Sequence, residues 1–356
     1  MGYLWAMSSR SQRAPLGIVL LVIALATLLP LGHAPPRFFW GFDWSDLLVN
    51  ICLYLPLGVV LASQEVAPLG IAAIALGLSG AIELAQGLVI AGRRGSPVDV
   101  ATNFLGAMAG LAGYRWFLRV QVSRGRSMIA GAVALAALPV ICWALSGPLL
   151  APEPPVTPEW WGQWSHLFSQ TVPFRGTIHS LTLQGRPVPD GPIDQTAELI
   201  ATARREPLSL EVSLTSGGRT DGLTHLAGVS DGAGHVVISL EQLGNDLLLS
   251  WRSRGAGIGL RSPKFVFHDL LGSPEGSTLV ARATVSGSRA SVVVRAGSDS
   301  LGATQRLTPV AGWRNLIPAR ELSGPAQTWL DRAWALVLLM YVVLAARVLR
   351  RIRVSY

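Results

Sequence analysis

The chain has 356 residues, of which 50% are hydrophobic and only 14% are charged. Soluble proteins carry charge on about a quarter of their residues, so this composition excludes an ordinary soluble protein and indicates a membrane protein. The net charge of +8 comes from arginines that flank apolar segments and orient them in a membrane, and no nucleic-acid motif accompanies them. Cys52 and Cys142 lie inside apolar segments, which predicts free thiols and neither a disulfide framework nor a metal site.

Six apolar segments follow one another along the chain, each near the ~20 residues that a helix needs to cross a bilayer. They cover residues 16–31, 46–63, 68–91, 98–118, 128–150 and 329–346. The first is either a transmembrane helix or a signal peptide, because residues 32–34 resemble a cleavage site behind a short apolar stretch. Arginines cluster after the fourth and sixth segments, which by the positive-inside rule predicts that both termini are cytoplasmic.

The stretch between the fifth and sixth segments is polar and rich in turn residues. Short runs with alternating apolar residues recur in it, at residues 177–183, 197–203, 208–214, 235–240, 247–252, 279–285 and 290–295. Such runs, separated by Gly, Asp, Asn and Ser, predict an antiparallel β-sandwich of roughly ten strands. The sequence therefore predicts three parts: a membrane domain of five helices over residues 1–151, an extracytoplasmic sandwich over 152–322, and a last transmembrane helix with a basic tail over 323–356.

Polar side chains inside membrane segments are costly and therefore usually mark function. With a rise of about 1.5 Å per residue, eight such residues fall in the outer half of the membrane or in the loop above it. They are Asp46, Asn50, Glu83, Gln86, Arg93, Arg94, Asp99 and Asn103. We predict that these residues form a binding pocket open toward the outer leaflet. Gly106 and Gly110 share the helix face of Asp99 and Asn103, a spacing typical of close helix packing.

Structural roles stay open for several of these residues. The run from Ser96 to Asp99 has the pattern of a capping box, which by itself explains Asp99. Asp46 similarly suits the first turn of a helix. Glu83 forms either a binding site or a structural ion pair with Arg93, and the two asparagines fit interhelical hydrogen bonds equally well.

Several motifs lie in order along the second to fourth segments: Asp46-xxx-Asn50, Tyr54-Leu-Pro56-Leu-Gly58, Glu83-Leu-Ala-Gln86, Arg93 and Asp99-Val-Ala-Thr-Asn103-Phe-Leu-Gly106. In this order and spacing the chain resembles the VanZ-like membrane family, over about residues 16–120. The resemblance implies a small multi-span envelope protein without assigned catalytic chemistry, and an effect on glycopeptide antibiotic susceptibility, since the family is named for a member associated with teicoplanin resistance. We expect Pro56, Gly58, Gly106 and Gly110 to serve helix packing.

The strand pattern of residues 208–252 resembles laminin-G and concanavalin-like sandwiches. This resemblance implies a jelly-roll fold and glycan binding. Domains of the concanavalin type often bind calcium, but no calcium ligands can be assigned in this sequence. Asp231, His235, Trp251 and Arg252 are candidates for a sugar site, because aromatic rings stack on sugars and polar groups orient hydroxyls. Alternatively Trp251, which ends an apolar strand, belongs to the core.

Together these features predict a multi-pass protein of the bacterial cytoplasmic membrane, without nucleic acid, cofactor or metal, whose partners are membrane lipid and a lipid-linked or surface glycan. In this hypothesis Arg93 and Arg94 contact a phosphate, because guanidinium pairs well with it. A first alternative is a membrane enzyme for a polyprenyl-phosphate-linked substrate, with Glu83 or Asp99 as acid or base, although no residue is assigned as catalytic. The second is a structural anchor that displays the sandwich. The sequence predicts no oligomeric state.

Overall fold

The computed structural model of the protein describes residues 2–29, 35–41, 44–122, 126–168, 171–317, 327–336 and 339. The chain divides into two compact units, the first within residues 1–137 and the second within residues 138–340. The cleavage-site motif at residues 32–34 and the basic tail after the sixth apolar segment lie outside the described residues.

The first unit is built from helices and one very short pair of strands. Its elements are α1 (Gly2–Leu28), β1 (Arg37–Phe38), α2 (Trp44–Ser63), α3 (Pro68–Leu88), β2 (Arg94–Gly95), α4 (Pro97–Val122) and the beginning of α5 (Arg126–Leu150). Proline opens α3 and α4, where its missing N–H has no intrahelical partner to lose. Glu65, at a φ of 60°, makes the tight turn between α2 and α3.

Two helices of the first unit, α2 and α4, approach each other closely because several residues at their contact are glycines. A Cβ atom at Gly58 would collide with the backbone oxygen of Ala107, and one at Gly110 would collide with that of Leu55. Gly106 makes a similar approach to the backbone of α2, where a Cβ atom would lie 2.5 Å from an oxygen. Small residues of this kind allow tight helix packing inside a membrane.

Two helices among the described residues, α2 and α3, are long and apolar enough to cross a membrane. The apolar parts of α1 and α5, Pro15–Leu28 and Pro139–Leu150, are shorter. α4 has enough residues, but the charges of Asp99, Arg115 and Arg119 make it less apolar. The prediction of six transmembrane helices is therefore not supported by the described residues, which support two.

The second unit contains two six-stranded antiparallel sheets, in the orders β11-β10-β9-β8-β3-β6 and β14-β13-β12-β7-β4-β5. Their strands are β3 (Trp160–Trp164), β4 (Thr177–Leu183), β5 (Arg186–Pro187), β6 (Gly191–Pro192), β7 (Leu208–Thr215), β8 (Thr224–Asp231), β9 (Val236–Leu243), β10 (Asp246–Trp251), β11 (Lys264–Phe267), β12 (Thr278–Val285), β13 (Arg289–Ala296) and β14 (Asp299–Arg306). One apolar core contains side chains from both sheets. The predicted antiparallel sandwich is thus present in its coarse form.

One predicted strand is a helix instead. Residues 197–203 alternate in polarity but lie in α6 (Thr196–Arg205). Leu199, Ile200 and Ala203 are buried, at a spacing that places them on one face of a helix. By contrast, β7 alternates strictly between buried and half-buried residues, as its sequence predicts. The run 197–203 was ambiguous because two periods fit so short a segment.

A helical segment at residues 327–336 is fastened to the end of the sandwich. The 3₁₀ helix Pro309–Asn315 carries Trp313 and Arg314, which both donate hydrogen bonds to Asp331 Oδ1, at 2.6 and 2.7 Å. The Arg314 guanidinium also lies 4.6 Å from the centre of the Phe265 ring. Burial lowers the pKa of Arg314 from its ordinary value, and Asp331 opposes that shift. The sandwich and this segment of the second unit are therefore joined by a partly buried ion pair.

Candidate functional site

The two-stranded ladder of the first unit brings the loop before α2 onto the loop between α3 and α4. In this parallel pair Arg37 lies opposite Arg94 and Phe38 opposite Gly95, and Phe39 N–H donates to the carbonyl of Gly95 at 2.9 Å. Gly95 is needed here, because a Cβ atom would lie 2.3 Å from the backbone oxygen of Glu83 and 2.9 Å from the Phe38 ring. The ladder thus gathers the start of α2, the end of α3 and the start of α4 at the same end of the helices.

Arg93 holds the end of α1. Its Nε donates to the carbonyl of Leu29 at 2.9 Å and a terminal nitrogen donates to that of Ala26 at 2.7 Å. These carbonyls lack partners within a helix, so Arg93 acts as a cap. Partial burial lowers the pKa of Arg93, and the Glu83 carboxylate opposes the shift. Among the described residues the two make no ion pair within 4.0 Å.

Gln86 makes a parallel contact with α1. The side chain is buried, and its Nε2 donates to the carbonyl of Thr27 at 2.8 Å. Gln86 and Arg93 therefore both bind carbonyl groups in the last turn of α1. Both residues belong to the predicted pocket, and in the structure both donate hydrogen bonds to the end of α1.

Glu83 is buried, with 6% of its surface exposed, and its Oε2 accepts a hydrogen bond from the backbone N–H of Ser96 at 2.8 Å. Ser96 is the residue before α4, and its Oγ accepts from the N–H of Asp99 at 3.4 Å. The capping role of this segment is thus visible. In a complete capping box the acid three residues on takes the N–H of the cap residue, but here Glu83 of α3 takes it. The carboxylate of Glu83 therefore joins α3 to the start of α4.

Deeper between the helices, Asn103 meets Ser79. Asn103 Nδ2 donates to Ser79 Oγ at 2.8 Å, and both side chains are buried. The hydroxyl of Tyr54, from α2, is also fully buried; it interacts with the side chain of Ser79 and lies within electrostatic reach of Glu83. Asn103 Oδ1 and Tyr54 Oη have no hydrogen-bond partner among the described residues. These four side chains, Tyr54, Ser79, Glu83 and Asn103, are called the polar cluster below.

The predicted pocket includes Asn50 but not Tyr54, which sequence reasoning missed as a member of this cluster. Asp46 lies in the first turn of α2, and Asp46 and Asn50 are half-buried. Tyr54 follows Asn50 by four residues, so it shares the same helix face one turn deeper. That spacing is the signal that could have found it. Ser79 has the same relation to Glu83, four residues earlier on α3.

The remaining predicted residue of the pocket, Arg94, lies in the ladder. Its guanidinium is 5.5 Å from the centre of the Phe39 ring, a cation–π distance. Because Arg37 is its direct neighbour on β1, two positive side chains occupy adjacent positions at this edge. Arg37 was not among the predicted pocket residues, since the sequence alone gives no sign that the two loops pair.

The sugar-site candidates of the sandwich do not lie together on an open surface. Trp251 is fully buried, stacks on Phe265 at 5.1 Å and donates from Nε1 to the carbonyl of Leu150 at 2.9 Å, which agrees with a core role. Asp231 closes a turn and accepts hydrogen bonds from the backbone and ring of His235. Burial raises the pKa of Asp231, but these hydrogen bonds outweigh it, so the pKa falls below its ordinary value.

A cavity of about 260 Å³ in the second unit lies elsewhere. It is lined by Leu270, Gly272, Ser273, Val294, Ala296, Asp299 and Leu301, and it contains none of the sugar-site candidates. Its volume is below the roughly 300–1,000 Å³ of a typical ligand pocket, so we assign no function to it.

Two apolar helices of spanning length and a β-sandwich suggest a class for this chain, a membrane protein with a large sandwich unit. Residues 1–118 match the family model described as VanZ/LLP1. This similarity is consistent with a VanZ-like cell-envelope protein. No curated protein and no solved structure matches the chain.

Proposed function

We propose that this protein is a multi-pass protein of the bacterial cytoplasmic membrane that binds the phosphate of a lipid-linked or surface glycan at the outer leaflet, with the sandwich outside the cell. The similarity of residues 1–118 to the VanZ/LLP1 family supports the envelope location. The two apolar helices support insertion in a membrane. The glycopeptide susceptibility implied by the resemblance remains part of this proposal.

The observation that carries the proposal is the pairing of Arg37 with Arg94 on adjacent strands. Because these two residues are paired across the ladder, one phosphate can contact both guanidinium groups and balance their charge. Guanidinium binds phosphate through two parallel hydrogen bonds. Arg37 replaces Arg93 in this role, because Arg93 already donates to carbonyl groups of α1.

Aromatic side chains around the ladder suit the same location. Phe38, Phe39, Trp40 and Trp44 expose 46%, 42%, 77% and 53% of their surface. Such rings settle at the level of lipid headgroups, where one side of the ring is apolar and the other is hydrated. The two arginines would then lie at the depth of lipid phosphates.

Lipid binding by the purified full chain tests this function. Native mass spectrometry in detergent would compare a polyprenyl phosphate with phosphatidylcholine of matched chain length. We expect Arg37→Gln and Arg94→Gln each to weaken binding of the polyprenyl phosphate roughly tenfold, the effect of losing one hydrogen bond between charged groups. Arg204→Gln, at an exposed arginine of α6, is the matched control. Unchanged binding in both ladder variants would rule the proposal out.

The sandwich has its own part in the proposal, which is to contact the sugar. A polyprenyl phosphate that carries a glycan should then bind more tightly than the same lipid without it. Arg37→Gln should weaken both lipids by the same factor and leave their ratio unchanged. Equal binding of the two lipids by the unmodified chain would exclude a glycan contact while leaving phosphate recognition in place.

A structural anchor is the second candidate, and one observation favours it. Gln86, Arg93 and Glu83 all use hydrogen bonds to fasten helices or loops to each other. A chimaera in which an unrelated helical anchor replaces residues 1–137, which leaves the second unit intact, separates the two functions. If the first unit only anchors the sandwich, the chimaera behaves like the natural chain in cells. If it binds lipid, the chimaera loses that binding.

A further inference from the structure

The polar cluster presents oxygen atoms that lack partners. Asn103 is 2% exposed and Tyr54 is fully buried, yet Asn103 Oδ1 and Tyr54 Oη make no hydrogen bond with a described residue. Leaving a buried polar atom unpaired costs free energy, so such atoms usually mark a bound water, ion or ligand. Both residues contact Ser79: Asn103 donates to its Oγ from Nδ2, and the Tyr54 hydroxyl interacts with its side chain.

A buried carboxyl group lies near these oxygens, and it carries a negative charge when it is ionised. Glu83 has the backbone N–H of Ser96 as its hydrogen-bond donor among the described residues. The charged groups that act on it are Asp99, which is also acidic, and Arg93, whose guanidinium is bound to the end of α1. A buried charge without a close partner is expensive, and one positive charge in the cluster would balance it.

The ligand atoms of the cluster indicate which kind of cation it can bind. Carboxylate, amide and hydroxyl oxygens are ligands for hard cations, and nitrogen or sulfur ligands of the type that bind transition metals are absent from the cluster. One carboxylate balances one positive charge. The site is therefore suited to a monovalent cation and not to a divalent one.

We propose that Tyr54, Ser79, Glu83 and Asn103 form a binding site for a monovalent cation of the size of sodium, which stabilises the packing of α2, α3 and α4. This inference is independent of the lipid-binding function, because it involves neither Arg37 nor Arg94. It assigns the unpaired oxygens and the buried carboxylate to one ligand.

Thermal unfolding of the purified full chain at pH 8 tests the site. We expect the unfolding midpoint to rise in a saturating manner, by about 5 °C, in sodium chloride relative to N-methylglucamine chloride of equal ionic strength. Glu83→Gln should abolish this rise. Tyr54→Phe removes one hydroxyl and keeps the buried ring, so it should fold and should require at least about tenfold more sodium.

Thr102→Val is the matched control, because Thr102 is a buried hydroxyl of α4 that donates to the carbonyl of Asp99 in its own helix. Its sodium response should equal that of the unmodified chain. Identical midpoints in the two salts for the unmodified chain would overturn the proposal, as would a full sodium response in Glu83→Gln. Stabilisation on acidification without any response to sodium would likewise overturn it and assign the positive charge to a proton on Glu83.

Discussion

The hydrogen-bond partners of individual polar residues are the main information that the structure adds to the sequence. Arginine and glutamine look like ligand-binding groups when only the sequence is known, yet Gln86 and Arg93 bind the last carbonyls of α1. Residues that look like core, such as Tyr54, carry the unpaired atom. The spacing of residues in the sequence determines which of them share a helix face, but it does not determine which acceptor group each side-chain donor binds. That choice depends on where the end of another helix falls.

One buried residue of the sandwich predicts a pH dependence of stability. His225 on β8 is 3% exposed, and burial lowers its pKa to about 4, with Glu241 opposing the shift. Its pKa in the unfolded chain is about 6.5, so below that pH the unfolded state binds a proton that the folded state does not. The contribution of neutral His225 to the free energy of unfolding is therefore complete above about pH 6.5, and it is lost as the pH falls toward 4.

We therefore expect the free energy of unfolding of the sandwich to fall by on the order of 3 kcal/mol between pH 7 and pH 4 through His225 alone. His225→Phe keeps a ring beside Phe168, which packs edge-on against His225 at 5.0 Å. Denaturant titrations of the full chain, read by near-ultraviolet circular dichroism, would show a shallower pH dependence in the variant. The same pH dependence in both proteins would contradict this account of His225.

At the scale of elements, periodicity predicted long and regular segments well. The runs that became β7, β12 and β13 alternate over eight residues each, and their sheet pairing follows. The short run at 197–203 fitted two periods and became α6. The ladder between β1 and β2 could not be predicted, because two residues on each side carry no periodic signal.

The contact between α2 and α4 gives a prediction at this scale. A Cβ atom at Gly110 would collide with the carbonyl oxygen of Leu55 and lie 3.0 Å from the backbone nitrogen of Val59. Gly110→Ala should therefore destabilise the helical unit by about 1–3 kcal/mol, the usual cost of overpacking. Gly113→Ala is the control on the same helix, since nothing lies within 4 Å of a Cβ atom there.

The control should be neutral or stabilise α4 by up to about 1 kcal/mol, because alanine is the better helix former. Unfolding midpoints of the two variants in the same detergent provide the measurement. If Gly110→Ala were as stable as Gly113→Ala, the two helices would not be in backbone contact at this position.

For the whole molecule, the sequence predicted a helical membrane part and an antiparallel sandwich; the structure contains a helical unit with two candidate membrane-spanning helices and a sandwich of two antiparallel sheets. Similarity to the VanZ/LLP1 family covers residues 1–118, about the length of the helices that hold the candidate site. The family match does not include the sandwich, so the proposal that the sandwich contacts a glycan rests on chemical arguments alone. Of the predicted spans, α2 and α3 are supported, because charges or short apolar lengths weaken the signal of the other helices among the described residues.

A cryo-electron microscopy structure of the full chain, purified with its native lipids, tests the central claim most directly. We expect density for a lipid phosphate between Arg37 and Arg94, within hydrogen-bond distance of both guanidinium groups, while Arg93 stays on the carbonyls of α1. A map in which Arg37 and Arg94 lie apart, or contact only protein with no headgroup density beside them, would contradict it.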